Sequence, residues 1–208
     1  MKMESMAGSG ITHVFFDVGG VLGSNGWDRR ERAEAVRRFA LDAEDFESRH
    51  EDAVGSFEAG RMTLDEYLDD TVFCQDRAFS RDEFKAFMRE RSRPFPDSIQ
   101  VARELKEAGR HVLMTINNES AELNVYRLQA FGLLPLFAAF FSSCWVGSVK
   151  PSRRIYEVAR DMSQADPWRS VFVDDRPQNL APAAAMGMHT ILFTEAGQLR
   201  RDLAALGI

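Results

Sequence analysis

Short apolar runs alternate with longer amphipathic segments along most of the chain. The runs are rich in β-branched and aromatic residues and end next to polar residues, a pattern typical of buried strands in a parallel sheet. Five such strands are predicted, at residues 11–16, 111–116, 139–142, 170–173 and 189–193. The residues that follow these strands are therefore candidates for one edge of a single sheet.

The amphipathic segments between these runs predict helices. Their apolar residues recur at helical spacing, and several segments stop at a glycine, as helices commonly do. The predicted helices are residues 97–108, 119–131, 181–186 and 198–206, and residues 151–162 with Pro151 at the first helical position. Strands that alternate with helices in this way predict an α/β fold with a doubly wound, Rossmann-like parallel sheet.

Residues 23–96 interrupt this alternation. They contain no convincing strand, whereas residues 29–39 and 46–57 have helical apolar spacing. Two further segments match the capping box that begins a helix, Thr63–Glu66 and Ser80–Glu83. We therefore predict a small all-helical domain inserted after the first strand at residues 23–96, a leader at residues 1–10, and an α/β core made of residues 11–22 and 97–208.

Composition narrows the classes of partner. The 208-residue chain has 26 basic and 32 acidic residues, a net charge of −6 and a pI near 5.3. No nucleic-acid partner is expected, because general nucleic-acid binders carry a basic surface. No apolar stretch approaches the roughly 18 residues of a membrane span, and there is no signal-peptide core, so we expect no membrane partner and a cytoplasmic location. Cys74 and Cys144 are predicted to be buried free thiols, and the oligomeric state is left open.

Polar residues that can carry chemistry follow the predicted strands. Ligands of a doubly wound sheet gather at the carboxyl ends of its strands, where the chain places Asp17, Asn117, Asn118, Lys150, Asp174 and Asp175. Three carboxylates in one small pocket would repel one another, and a divalent cation together with a lysine would relieve that repulsion. Oxygen ligands favour Mg²⁺, which can also take a phosphate oxygen. The residues alone therefore indicate phosphoryl transfer or phosphate binding.

Four sequence blocks stand in a recognisable order. They are VFFDVGGVL at residues 14–22, MTINN at 114–118, GSVKP at 147–151 and VFVDDR at 171–176. In these blocks the chain resembles the haloacid dehalogenase (HAD) superfamily, which consists mostly of phosphatases with an aspartate nucleophile. The helical insert stands where that superfamily carries its first-type cap domain. The resemblance is strongest to the branch with the N-terminal phosphatase domain of soluble epoxide hydrolase and a glucose-1-phosphate phosphatase.

The resemblance implies roles for the acidic residues. Asp17 would attack phosphorus and form an aspartyl-phosphate. The cofactor would be Mg²⁺, held by Asp17, the carbonyl of Gly19, and the pair Asp174 and Asp175. Of that pair, Asp175 is expected to contribute more to metal binding.

The two middle blocks are implied to bind the phosphoryl group. Asn118, together with either Asn117 or Thr115, would donate hydrogen bonds to the phosphate. Lys150 would act in catalysis by neutralising the phosphate and the nucleophile together. The choice between Asn117 and Thr115 stays open, because a Ser or Thr directly before the Asn is usual and Asn117 stands in that place.

One position departs from the usual phosphatase pattern. Most phosphatases of the superfamily have a second Asp two residues after the nucleophile, which protonates the leaving oxygen and later activates water, but this chain has Gly19. General acid–base catalysis is worth roughly 10²–10⁴-fold. We expect a Mg²⁺-dependent phosphatase of a small phosphorylated metabolite. The alternatives are a catalytically weak protein that binds phosphate or a metabolite and, less favoured, a 2-haloacid dehalogenase.

Overall fold

The computed structural model describes residues 10–208, and the predicted leader lies outside this range except for Gly10. Five strands form the centre of the fold: β1 (His13–Phe16), β2 (Val112–Asn117), β3 (Ala139–Ser142), β4 (Ser170–Asp174) and β5 (His189–Leu192). They pair in parallel in the order β3-β2-β1-β4-β5. Strand β1 is therefore central, and its carboxyl end lies between those of β2 and β4.

Helices cover both faces of this sheet. The helices are α1 (Arg29–Phe39), α2 (Ala43–Glu58), α3 (Leu64–Thr71), α4 (Arg81–Glu90), α5 (Pro96–Ala108), α6 (Ala121–Ala130), α7 (Ser143–Val146), α8 (Arg153–Ser163), α9 (Pro177–Ala185) and α10 (Ala196–Ala205). Alternate residues of a strand point to opposite faces, so Val14 and Phe16 pack with α5, α6 and α10, whereas Phe15 packs with α8 and α9. The prediction of a doubly wound α/β fold is confirmed.

Helices α1 to α4 form the helical insert between β1 and α5. They enclose a hydrophobic cluster of their own, with fully buried aromatic side chains at Phe46, Phe57, Tyr67, Phe84 and Phe87. Both predicted capping boxes form, at the first turns of α3 and α4. The insert is thus stabilised by local capping and by burial of aromatic surface.

The chain enters and leaves the insert side by side. The Ser24 N–H donates to the Arg93 carbonyl at 2.8 Å, and the Phe95 N–H donates to the Leu22 carbonyl at 2.9 Å. The two connecting segments therefore pair with each other, and they hold the insert directly above the end of β1.

Five predicted helix starts are wrong by two to four residues, those of α2, α6, α8, α9 and α10, and two of them involve a proline. Helix α8 begins at Arg153 instead of Pro151, because the Ser152 side chain accepts a hydrogen bond from the Arg154 N–H and Pro151 lies in the turn before it. Helix α9 begins at Pro177, four residues before the predicted start. A proline has no N–H to donate and suits the first turn of a helix, where that N–H would have no partner.

Cys74 and Cys144 are both free thiols, as predicted. Their predicted burial is wrong, since Cys74 is exposed on the insert surface just after α3 and Cys144 is only half-buried. Among the described residues, no helix combines the length and apolar character that crossing a bilayer requires.

Candidate active site at the strand ends

Strand ends deliver the acidic residues to one place. Asp17 directly follows β1, and its N–H donates to the Val173 carbonyl of β4 at 2.9 Å. Asp174 is the last residue of β4, and Asp175 follows it. Because β1 and β4 are neighbours in register, their carboxyl ends bring the three acids together at the rim of the sheet.

Lys150 lies between two of these carboxylates. Its Nζ is 2.8 Å from Asp17 Oδ1 and 2.7 Å from Asp174 Oδ2, and all three side chains are buried. Buried charges require partners, because desolvation of an unpaired charge costs several kcal/mol. The ammonium therefore holds the two carboxylates in fixed positions in the metal-free protein.

Asp174 and Asp175 differ in their partners. Asp174 accepts hydrogen bonds from Lys150 Nζ, from the Asn179 amide and from the Arg176 N–H. By contrast, Asp175 Oδ1 is buried and has no hydrogen-bond partner. An unpartnered buried carboxylate oxygen is costly, so this atom is the one that most needs a ligand.

The donor set fits a divalent cation. Asp17, Asp174 and Asp175 each offer an oxygen, and these atoms all lie within 4.8 Å of one another. Lys150 supplies one positive charge against three acids, which leaves a surplus of negative charge once the acids ionise. The Gly19 carbonyl, the other predicted ligand, accepts no hydrogen bond from residues 10–208. Hard oxygen donors with surplus negative charge suit Mg²⁺.

Burial changes the proton affinity of these acids. Burial raises the pKa of Asp17 to about 7; Lys150 opposes this rise, and Asp174 and Asp175 add to it. Burial, and next the charge of Asp174, also raises the pKa of Asp175. A nearby cation favours the ionised form of a carboxyl group, so a bound divalent ion would shift both groups back towards their ionised form.

Gly19 and Gly20, which follow Asp17 by two and three residues, have different functions. Gly20 has a φ of 80°, and a Cβ at this position would overlap the Asp175 carboxylate. It is therefore needed both for its backbone conformation and for the close approach of Asp175. Gly19 has no such φ, and a Cβ there would lie 3.1 Å from Asn25 Oδ1 and 3.8 Å from Arg127 Nη2.

Asn118 and Lys150 line the same pocket as Asp17. The Asn118 side chain holds the backbone of Lys150 at two points, since its Nδ2 donates to the Lys150 carbonyl at 3.0 Å and its Oδ1 accepts from the Lys150 N–H at 2.7 Å. The amide therefore orients the segment that carries the lysine.

Asn117 and Thr115 lie inside the protein and are not part of the pocket wall. The Asn117 amide donates to Asn124 Oδ1 at 3.1 Å and accepts from Ser142 Oγ at 2.9 Å. The Thr115 hydroxyl is buried without a hydrogen-bond partner. Their phosphate contacts stay a prediction, and Asn118 is the only one of these three polar side chains that reaches the pocket.

The helical insert contributes part of the pocket wall, including Trp27, Arg32, His50 and Glu58. Trp27 Nε1 donates to the Tyr67 hydroxyl at 2.9 Å, and that hydroxyl lies 2.8 Å from His50 Nδ1. Burial lowers the pKa of His50 to about 4, so this imidazole is neutral at pH 7. Hydrogen bonds connect residues of this part of the pocket wall, and none of these residues belongs to the four sequence blocks.

A second buried cation also lines the pocket. Arg127 of α6 pairs with Glu119 at 2.8 Å and donates to the carbonyl of Ser24. Since Ser24 lies at the start of the insert, Arg127 connects the core to the insert. The whole pocket has a volume of about 160 Å³, which is small beside the roughly 300–1,000 Å³ of drug-sized sites.

A family model for haloacid dehalogenase-like hydrolases matches residues 11–187 of this chain. The chain belongs to this family of hydrolases. Phosphatase MT3486 of Mycobacterium tuberculosis is 29% identical over 218 residues, which covers 95% of each chain. Bifunctional epoxide hydrolase 2 of Sus scrofa is 28% identical over 207 residues, which covers 90% of this chain but 37% of that relative.

The HAD-like hydrolase therefore spans little more than a third of that epoxide hydrolase, and half of the chain matches 20% of the rat enzyme. Among solved structures, HAD family enzyme bt-2542 of Bacteroides thetaiotaomicron has a TM-score of 0.77 at 20% identity, over 94% of this chain and 99% of that chain. The same enzyme has been solved in complex with magnesium and inorganic phosphate. At this identity the likeness demonstrates the fold.

Several residues around the hydrolase pocket were not found from the sequence. Glu58, Glu119 and Arg127 line the pocket, yet each lies in or next to a helix without a motif. Trp27 both packs in the insert and lines the pocket. The strand-end residues could be recognised in the sequence because each stands in a short polar block after an apolar run. Helical residues of the pocket wall follow no such pattern.

Proposed function

We propose that this HAD-like hydrolase is a Mg²⁺-dependent phosphatase that forms an aspartyl-phosphate on Asp17. The observation that carries this proposal is a buried carboxylate beside one lysine and two further acids, where the carboxylate and the lysine line a pocket of about 160 Å³. The phosphatase relative from Mycobacterium tuberculosis and the magnesium and phosphate complex of the structural neighbour support the same chemistry.

Each strand-end residue has a distinct task in this proposal. Asp17 attacks phosphorus with one carboxylate oxygen as the ester bond to the leaving group breaks. Lys150 stabilises the negative charge of the phosphoryl group, and Asn118 keeps Lys150 in place through its two hydrogen bonds. Asp17, the Gly19 carbonyl and Asp175, with Asp174 beside them, would hold Mg²⁺, which would supply further neutralisation of phosphate charge.

Residues 23–96 act as a cap over the site, and residues 11–22 and 97–208 form the catalytic core. The paired connecting segments and the separate aromatic cluster of α1 to α4 support this division. A cap that closes over a pocket this small admits a small phosphorylated metabolite and excludes bulky substrates and bulk water.

Gly19 favours a second candidate function. A protein with a phosphate site and no acid two residues after Asp17 would bind a phosphorylated metabolite and turn it over slowly. Arg127 Nη2 lies 3.8 Å from where a Cβ of residue 19 would stand, so the position that usually holds the acid is next to a cation instead.

A substrate screen tests the proposal. The purified protein is assayed with and without Mg²⁺ against sugar, nucleotide and acyl phosphates and against 2-haloacids, with Asp17→Asn as the control. Mg²⁺-dependent phosphate release by the wild type alone supports the phosphatase. Phosphate binding without turnover supports the binding protein, and halide release without metal identifies a dehalogenase.

A further inference from the structure

The pocket lacks an acid at the position where phosphatases of this type carry one. Gly19 has no side chain, and the space beside it is occupied by Asn25 and Arg127. An alkoxide leaving group without a proton donor departs slowly, and a positioned acid accelerates such steps by roughly 10²–10⁴-fold. A different residue of the pocket wall must supply the proton if the enzyme acts on alkyl phosphates.

Two acids of the wall are already paired with cations. Asp28 lies 3.0 Å from Arg176, and Glu119 lies 2.8 Å from Arg127. The Glu58 carboxyl, in contrast, makes neither a hydrogen bond nor an ion pair with any side chain among residues 10–208, although it lines the same pocket as Asp17. It is therefore the acid of this wall whose oxygens are available to a ligand.

His50 is the other wall residue that could move a proton. Its Nδ1 lies 2.8 Å from the Tyr67 hydroxyl, and burial lowers its pKa to about 4. The ring is therefore neutral at pH 7, and a neutral imidazole is a poor proton donor. Glu58 is the better candidate for protonating an alkoxide.

Glu58 belongs to the insert, but its backbone is anchored to the core. The hydroxyl of Ser143, the first residue of α7 directly after β3, donates to the Glu58 carbonyl at 2.6 Å. Two residues later, Gly60 lies so close to the Cys144 carbonyl that a Cβ would overlap it. The last turn of α2 is thus held against the strand ends, which gives Glu58 a defined position relative to the nucleophile.

The surroundings of Glu58 keep its carboxyl group protonated in a fraction of the molecules at neutral pH. Burial raises its pKa to about 7, and the charge of Glu119 adds to the rise. The cations that face it oppose the rise, and they are Arg176, Lys150 and Arg32. A group that titrates near the working pH is suited both to donate a proton and to take one back.

We propose that Glu58 is the general acid and base of this site, in place of the acid that Gly19 lacks; this rests on the phosphatase function proposed above. Asp17 attacks phosphorus, the P–O ester bond breaks, and the leaving oxygen takes the proton of the Glu58 carboxyl to form the alcohol. Glu58, now a carboxylate, then accepts a proton from water. The water oxygen attacks phosphorus, phosphate leaves, and Asp17 and protonated Glu58 are restored.

The test compares leaving groups. We expect Glu58→Gln to lower kcat/KM for phenethyl phosphate, an alkyl ester, by about 10²-fold or more, and for para-nitrophenyl phosphate by less than about 10-fold. The aryl leaving group departs without protonation, and kcat/KM does not include the later water step. Glu51→Gln, an exposed acid on the same helix, should change neither value.

A second readout detects the water step directly. In acid-quenched samples with para-nitrophenyl phosphate, mass spectrometry should find more phosphoryl group on Asp17 in Glu58→Gln than in the wild type. Equal losses for the two esters, or no loss for either, would overturn the role of Glu58. A wild type that releases phosphate neither from these esters nor from any phosphate of the substrate screen overturns the phosphatase function itself, and this proposal with it.

The melting temperature of Glu58→Gln shows whether the variant folds. If it does not, the wild-type pH profile decides instead. Loss of kcat/KM as the pH rises through about 7 for phenethyl phosphate, with no such loss for para-nitrophenyl phosphate, supports Glu58 as the proton donor. Identical profiles for the two esters contradict it.

Discussion

Lys150 and Arg127 are two buried cations that line one pocket, and the charges around them differ. Their side chains are 2% and 3% exposed. Lys150 contacts two carboxylates, Asp17 and Asp174, and a third acid lies beside them. Arg127 contacts one carboxylate, Glu119, and a neutral backbone carbonyl.

This difference separates a ligand site from a structural ion pair. The Arg127 pair balances its own charge, although Arg127 Nε is buried without a hydrogen-bond partner. The Lys150 cluster has more acid than base, and burial raises the pKa of Asp17 to about 7. Only a bound cation or a proton can balance it. Two ion pairs that look alike by distance therefore have different functions.

The largest effect is expected from the nucleophile. Asp17→Asn should lower turnover by at least about 10³-fold, because the attacking oxygen is lost. It should leave the melting temperature equal to or above that of the wild type, since it removes one of the mutually repelling acids. Phosphate release and thermal unfolding are the measurements. Retention of more than a few percent of the activity would contradict the assignment.

Removal of each cation tests the charge comparison itself. Lys150→Met and Arg127→Met should each lower the free energy of unfolding by about 3–5 kcal/mol, because each leaves buried carboxylate without its partner. Mg²⁺ should restore part of the loss in Lys150→Met, since the ion also neutralises Asp17 and Asp174. Mg²⁺ should stabilise Arg127→Met against unfolding no more than it stabilises the wild type.

Denaturant titrations with and without Mg²⁺ measure both effects. Arg127→Met combined with Glu119→Leu provides the matched control, since removing both members of a balanced pair is much less costly than removing one. Equal rescue of the two single variants by Mg²⁺ would show that the two cation sites are not distinct.

Asp174 and Asp175, at the end of β4, are expected to contribute unequally to metal binding. At about 100 times its Kd, Mg²⁺ should raise the wild-type melting temperature by roughly 5–10 °C. Asp175→Asn should abolish this rise, because Asp175 Oδ1 has no other partner. Asp174→Asn should keep part of it, since Asp174 already bonds Lys150 and Asn179. If Asp174→Asn alone lost this Mg²⁺-dependent increase in melting temperature, Asp174 and not Asp175 would be the more important metal ligand.

The strand-end residues could be predicted because each stands at a fixed place in a repeating pattern. Asp17, Asp174 and Lys150 follow apolar runs, and parallel topology brings such positions together. The fold followed from the same alternation of strands and helices. Residue types alone could not reveal which acid already has hydrogen-bond partners, since the partners of Asp174 come from α9 and from the loop before α8.

The pocket wall of the insert could not be predicted in the same way. Glu58 is one of several acids on an amphipathic helix, and its place depends on how α2 docks onto Ser143. Likewise, the neighbours of Gly19 include Arg127, whose side chain reaches from α6 to Ser24. Contacts between elements far apart in the chain leave no local pattern.

The smallest expected effect is a pH dependence that isolates Asp17 in the metal-free protein. Its pKa is about 7 in the folded state against a usual value of 3.8. Between these values the folded protein holds a proton that the unfolded chain releases, so the free energy of unfolding falls as the pH rises through this window and levels off above it. Asn does not titrate and lacks this loss. In EDTA, the melting temperature of Asp17→Asn should therefore exceed that of the wild type by a few degrees more at pH 8 than at pH 5. Glu58 is present in both proteins, and Asp17 is not among the groups that shift its pKa, so its titration cancels in the difference. A gap that stays constant or narrows towards pH 8 would mean that Lys150 compensates Asp17 fully, and that the cluster carries no surplus charge for a metal to balance.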